Sequence, residues 1–264
     1  MMRSLSSAAT GMKAQQLNID TTSNNLSNVN TSGFKKSRVN FQDLVYQTLR
    51  EPGTPNNQGS QVPNGIEVGH GVRPASTQKL FAQGGFKNTE NPLDVAIEGQ
   101  GFFQVLRPDG TVAYTRDGSF KQDENGQLVT SDGYIVQPDD DIVIPDEATS
   151  VIISEEGTIH AEIPGEDDYE EIGQLELAQF PNAAGLESLG RNLFGETPSS
   201  GDAIVGEPGE DGFGTLAQGY LEESNVEVVD EMVNMIQAQR AYETNSKSIQ
   251  ASDEMLQQAN NLRR

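Results

Sequence analysis

Two runs of apolar residues at seven-residue spacing bracket the chain, and they limit its fold more than any other feature. Leu5, Met12, Ile19 and Leu26 form the first run; Leu221, Val228, Met235, Tyr242, Ile249 and Leu256 form the second. A seven-residue apolar repeat keeps one stripe on one side of a helix and favours packing against another helix. The first run is diluted by Gln15, Gln16, Thr22 and Ser23. A helix this polar draws most of its stability from burying its apolar face. The two ends of the chain are therefore expected to pair with each other, and function is sought on a surface rather than in a pocket.

The first helix reads as 3–30, ended by NNLSNVNTSG (24–33), where Asn side chains compete for backbone groups and Gly33 offers a left-handed stop. The second opens near Ser224 or Asn225, either a reasonable N-cap, with Glu227, Asp230 and Glu231 at its positive end. It closes on Arg263 and Arg264. Between the helices the pattern shortens. FQDLVYQTLR (41–50) could extend as strand or helix, and Val68 to Gln78 reads as a strand. EPGTPNNQGSQVPNG (51–65) carries three prolines and three glycines, which suits an extended linker or the arm of a long hairpin. Beyond residue 80 the turn signals PDG (108–110), RDG (116–118), DENG (123–126) and SDG (131–133) separate runs such as FFQVL (102–106), GQLVT (126–130), DIVIP (141–145) and SVIIS (150–154). Asp-Gly and Asn-Gly between apolar runs are strong hairpin signals.

The fold class that follows is α+β: terminal helices paired as a coiled coil, with a central, mostly antiparallel β domain. Its expected segments are an N-terminal helix (1–40), an extended arm (41–79), a β-rich domain (80–220) and a C-terminal helix (221–264).

Charge and composition exclude several function classes. The net charge is −23, with six basic and two acidic residues in 1–50, and four basic and eight acidic in 221–264. Opposite signs on the terminal helices favour their pairing. The acidic middle argues against nucleic-acid binding. There is no cysteine, so disulfide and thiol chemistry are absent. MMRSLSSAATGMKAQQ lacks the apolar core of a secretory signal, and no run approaches the roughly 20 apolar residues that span a bilayer.

Catalytic and ligand motifs are weak. His70 and His160 lie far apart in sequence and read as ordinary strand or surface residues. Glu98, Gly99, Gln100 and Gly101 read as a turn rather than a phosphate cradle. Asp123, Asn125 and Gly126 lack the spaced acidic ligands of a calcium loop and read as a hairpin turn. Forty acidic residues guarantee chance carboxylate pairs. A cell-wall glycan hydrolase using Glu98 and Asp117 is therefore only a remote alternative. The expectation is a non-enzyme with no cofactor and no metal.

Three segments carry a family resemblance. NNLSNVNTSGFKKSRVNFQDLVYQTLR (24–50) resembles the N-terminal signature of bacterial flagellar rod and hook proteins. LDVAIEGQGFFQV (93–105) with YTRDGSFKQDENGQLVTSDGYIVQ (114–137) resembles their central signature. GYLEESNVEVVDEMVNMIQAQRAYETNSKSIQASDEMLQ (219–257) resembles their C-terminal one. Within the family, YQTLREPG and the Pro/Gly/Asn-rich stretch after it are similar to distal rod members.

The resemblance implies a helical homopolymer with paired terminal helices lining its inner wall and the β domain outside. It implies a straight rod that crosses the periplasm and carries torque to the hook. Subunits would leave through the flagellar type III export apparatus without a cleaved signal. The implied partners are further copies of the chain, proximal rod subunits, hook subunits, surrounding ring proteins and the export apparatus; another rod or hook-like axial subunit is the alternative. Carried onto this sequence, Leu5, Met12, Ile19, Leu26, Val228, Met235, Tyr242, Ile249 and Leu256 would hold the helix pair and the axial packing. Tyr46, Pro52, Gly53, Pro55, Pro63 and Gly65 would belong to a stiffening arm. Prolines restrict that arm's backbone, and glycines permit close approach.

Overall fold

The computed structural model describes residues 2–52, 63–136, 142–145, 147–164 and 169–261. Two helices, α1 (Met2–Ser27) and α2 (Val228–Asn261), stand at the ends, and every strand lies between them. Among the described residues neither helix is long and apolar enough to cross a membrane. The arm positions Gly53 and Pro55, and the terminal Arg263 and Arg264, lie outside the described residues.

The chain divides into two compact units. The first holds Met1–Ser27, Ser37–Gln78 and Glu227–Arg264. Here α1 and α2 pack on each other, and the Ser37–Asp43 strand packs on α1. That strand pairs with Val72–Lys79. A separate antiparallel hairpin joins Tyr46–Arg50 to Ile66–Gly69, with Tyr46 opposite Gly69. The segment 41–50, open to either reading from sequence, is therefore extended, and it leaves Val45, Tyr46 and Leu49 exposed.

The second unit holds Asn28–Lys36 and Lys79–Val226. Residues 28–36, expected to travel with the N-terminal helix, thus fold into the β unit. Its main sheet centres on Phe102–Leu106. One edge of that strand pairs with Val112–Thr115; the other pairs with Leu177–Gln179 and Ile135–Val136, all antiparallel. Strand side chains alternate between faces, and this strand buries both. Phe103 and Val105 enter a core with Val95, Ile97, Phe120, Leu128, Ile159, Leu175 and Leu216. Phe102 enters a second cluster with Tyr114, Phe180, Leu186 and Phe194. Edge-to-face ring pairs fix both cores: Phe103–Phe120 at 5.0 Å and Tyr114–Phe180 at 4.7 Å between centroids.

Three of the four expected turns close as hairpin turns, through the backbone bonds Gly110 to Arg107, Gly126 to Asp123 and Gly133 to Thr130. RDG does something else. Gly118 is buried, and a Cβ there would overlap the Val95 carbonyl oxygen. That glycine is required by close backbone approach, not by a turn. DIVIP also departs from expectation: among its described residues it makes an isolated bridge at Val143 instead of a strand. Leu221, the first member of the C-terminal repeat, lies in the Tyr220–Glu222 strand, so the helix begins later than the repeat. Asn225 caps no helix. Its side chain donates to the Leu80 and Ala82 carbonyls and accepts from the Lys36 amide.

Gly118→Ala is expected to destabilise the β unit more than Gly110→Ala. The first forces a backbone clash inside the core. The second meets open space and carries only the cost of its positive φ, on the order of 1 kcal/mol. Urea unfolding of both variants checks the ranking.

Candidate assembly surface and junction

The helix pair is antiparallel and in strict register. Ser4 Oγ lies 3.4 Å from Ser252 Oγ. A Cβ on Gly11 would sit 2.9 Å from Asn245 Nδ2. Asn25 Nδ2 donates to Glu231 Oε2 at 3.4 Å. Each seven-residue step along α1 is matched by a seven-residue step back along α2. The heptad expectation therefore holds in period, while its phase differs. The buried line runs through Ala8, Ala14, Thr22 and Asn25 on α1, and Glu231, Ala238 and Ser252 on α2. Small residues at the contact let helices approach closely, and large side chains are displaced to the flanks.

The predicted interface residues occupy those flanks. Leu5, Met12, Ile19 and Leu26 are half-buried, as are Met235, Ile249 and Leu256. Val228 and Tyr242 are each 40% exposed. Sequence reasoning missed Val229, Met232, Val233 and Ile236, which are 67%, 51%, 46% and 47% exposed. With Val228 they fall at steps of one, three or four residues, the spacing of one helix face. The signal was the run VEVVDEMVNMI itself, in which apolar residues exceed what one seam can take.

The arm is similarly open. Val45, Tyr46, Leu49 and Ile66 are 80%, 51%, 55% and 47% exposed. At its described base, a Cβ on Gly65 would lie 2.7 Å from the Arg50 carbonyl oxygen and 2.9 Å from Pro52 Cδ. Gly65 and Pro52 thus meet across the hairpin, while Pro63 is exposed beside them.

A different constellation sits inside the β unit. Lys35 Nζ donates to Glu222 Oε1 at 2.6 Å, and both side chains are fully buried. Lys35 Nζ also donates to the Ala82 carbonyl at 2.9 Å. Glu222 Oε1 accepts from the Gly84 amide at 2.9 Å. Arg116, 4% exposed, places Nε 3.5 Å from Glu222 Oε2 and donates from Nη2 to Gly99 O at 2.6 Å. Burial pushes Lys35 and Arg116 below their ordinary pKa values, and Glu222 opposes both shifts. Gly33 adopts φ +67°, and its amide donates to Glu222 O at 2.8 Å. A Cβ at Gly33 would lie 2.6 Å from the Asp117 nitrogen. None of these three charged residues was singled out from sequence. The available signal was that each sits within one of three sequence-distant signature segments: TSGFKK, YTRDG and YLEES.

The weak ligand motifs are accounted for locally. Asp123 Oδ1 accepts from the amides of Asn125 and Gln127 at 2.8 Å each, which is a side-chain-stabilised turn. His160 lies on the Thr158–Glu162 strand opposite Ile152.

Comparison with known proteins matches the same three signature regions. Residues 5–35 match the family described as flagella basal body rod protein. Residues 96–161 match the flagellar hook protein FlgE/F/G D1 domain, and 217–262 the flagellar basal body rod FlgEFG protein C-terminal region. The chain is 55% identical to the flagellar basal-body rod protein FlgG of Borreliella burgdorferi, covering 100% of both chains. It is 48% identical to that of Caulobacter vibrioides, covering 99% of this chain and 100% of the relative. Similarity to the flagellar hook protein FlgE of Helicobacter mustelae is 48% over 52% of this chain and 30% of the hook protein.

Glu222→Ala is expected to cost about 3–5 kcal/mol, because it leaves two buried cations facing each other without an acid. Lys35→Met keeps Glu222 beside Arg116 and is expected to cost less. Urea unfolding of the two variants checks the order; equal losses would mean the charge balance of the cluster is unimportant.

Proposed function

The chain belongs to the flagellar basal-body rod protein family, and from that premise we propose that it is a structural subunit of the distal rod. In this reading many copies polymerise into a straight helical tube that crosses the periplasm, carries torque to the hook and passes exported subunits through its lumen. Copies of the chain are its main partners. Proximal rod subunits, hook subunits, the surrounding rings and the type III export apparatus are the others. Export proceeds without a cleaved signal peptide.

One observation carries the reading. A single chain cannot cover the apolar face of α2. The helix already spends one face on α1, and Val228, Val229, Met232, Val233 and Ile236 remain at least 40% exposed. Covering side chains of this kind stabilises a contact by on the order of 1 kcal/mol each. An exposed ion pair contributes about 0–1 kcal/mol. The apolar face therefore outweighs surface charge as the driving force, and a neighbouring copy is its natural cover. In the same scheme Leu5, Met12, Ile19, Leu26, Met235, Tyr242, Ile249 and Leu256 flank the seam and face the next subunits.

The arm supports straightness. A joint between inner helices and outer domain that is free to hinge permits curvature; a hairpin wedged between neighbours removes it. The exposed Tyr46, Leu49 and Ile66 give this hairpin an apolar surface to wedge with.

Val229→Asp and Ile236→Asp are expected to leave the helix pair and β unit folded by circular dichroism yet abolish polymerisation. Electron microscopy of concentrated wild-type and variant chains reads the outcome. Normal tubes from both variants would overturn the assembly surface. Removing residues 51–63 is expected to give tubes that bend measurably more than wild type; equally straight tubes would remove the arm from the account.

A further inference from the structure

Beside the second aromatic cluster the β unit holds a cavity of about 250 Å³. Its wall includes Phe81, Phe102, Phe180, Ala183 and Arg116, with Gln100 and Gln179 joined to each other by a 2.6 Å hydrogen bond. The guanidinium of Arg116 lies over the Phe102 ring, 5.7 Å from its centroid. The lining is thus aromatic, with one cation set into it.

That cation is under-compensated. Lys35 and Arg116 share the single carboxylate of Glu222, and all three are almost wholly removed from solvent. Lys79 adds a third positive charge: its Nζ donates to the Lys35 carbonyl at 3.3 Å and lies 5.1 Å from the centre of the Phe34 ring. Burial lowers the pKa of Lys79 as it does that of Lys35. Among the described residues, Arg116 Nη1 has no hydrogen-bond partner, and Nε has only the 3.5 Å ion pair with Glu222 Oε2. A buried guanidinium with an unpaired nitrogen is costly, and it is the donor of choice for a planar carboxylate.

We propose that this cavity receives an acidic side chain from a neighbouring copy of this chain, its methylene stem among the aromatic rings and its carboxylate toward Arg116. The proposal rests on the polymer reading above. The occupant follows from charge complementarity. With 40 acidic and 17 basic residues, each copy presents carboxylates in excess. Like-charged copies repel as they approach. A carboxylate seated against a buried cation turns part of that repulsion into a specific contact and fixes orientation. Every copy in a homopolymer carries both the cavity and the acid.

The test separates the site from the polymer. In ¹⁵N-labelled full-length chain below its polymerising concentration, the Arg116 Nε–Hε resonance is followed during titration with sodium butyrate. Sodium chloride and inorganic phosphate at matched ionic strength are the controls. A saturable shift with butyrate alone is expected. Ala183→Phe fills the cavity without replacing Lys35, Arg116 or Glu222. It is expected to abolish that shift and to raise the concentration needed for polymerisation at least tenfold. If Ala183→Phe does not fold, Gln179→Glu places a carboxylate on the cavity wall and is expected to block butyrate in the same way. No saturable shift, or an equal shift with phosphate, overturns the carboxylate site. Unchanged polymerisation of a folded variant that no longer binds butyrate overturns the neighbouring copy as occupant. A wild-type chain that binds butyrate but never polymerises overturns the polymer reading and this occupant with it.

Discussion

Glu222 accepts from Lys35 and the Gly84 amide on one oxygen and faces Arg116 with the other, in a place that water does not reach. The β unit is built from two segments of the chain, Asn28–Lys36 and Lys79–Val226. Lys35 stands at the end of the first segment, Glu222 near the end of the second, and Arg116 within the second. The ion pair therefore ties the short first segment to the end of the long second one, and Arg116 ties both to the Val112–Thr115 strand it directly follows. Backbone bonds repeat the tie: the Gly33 amide to Glu222 O, and the Asn225 amide to Phe34 O. Buried ion pairs repay their desolvation poorly and are often replaceable by apolar residues without loss of stability. Their use here is better understood as specifying one arrangement. A Lys, a Glu and an Arg can be buried together only if all three segments arrive in register.

The helix pair solves a different problem. A chain that assembles must keep apolar surface for its neighbours while its own helices hold together. Placing Gly11, Ala8, Ala14, Ala238 and Ser252 at the seam lets the helices meet through small side chains and short polar contacts. The large residues are left on the flanks, where they remain available. In the proposed polymer, a seam of leucines would spend on the helix pair the apolar surface that a next copy would use.

Most of the architecture was legible because it depends on period. Seven-residue spacing marked the helices, and Asp-Gly and Asn-Gly marked three hairpin turns whose closing bonds are local. Two of the misreadings share one cause. RDG and DENG look alike in sequence, yet Gly118 is a glycine because the Val95 carbonyl lies against it, a contact between residues 23 positions apart. Asn225 looks like a helix cap, yet Leu80, Ala82 and Lys36 claim its side chain. DIVIP has strand composition, yet its described residues find only a bridge at Val143. In the first two cases a distant partner overrides the local preference.

What the sequence determined by itself is the division of labour: two pairing helices, a β body between them, and three signature segments in a set order. Periodicity and turn chemistry are properties of neighbouring residues, so they survive without a fold. The tertiary structure decided the phase of the helix seam, which apolar residues of the C-terminal helix are left uncovered, and the meeting of Lys35, Arg116 and Glu222. Those depend on which side chains can exclude water together. Burial is settled only when segments far apart in the chain come into contact.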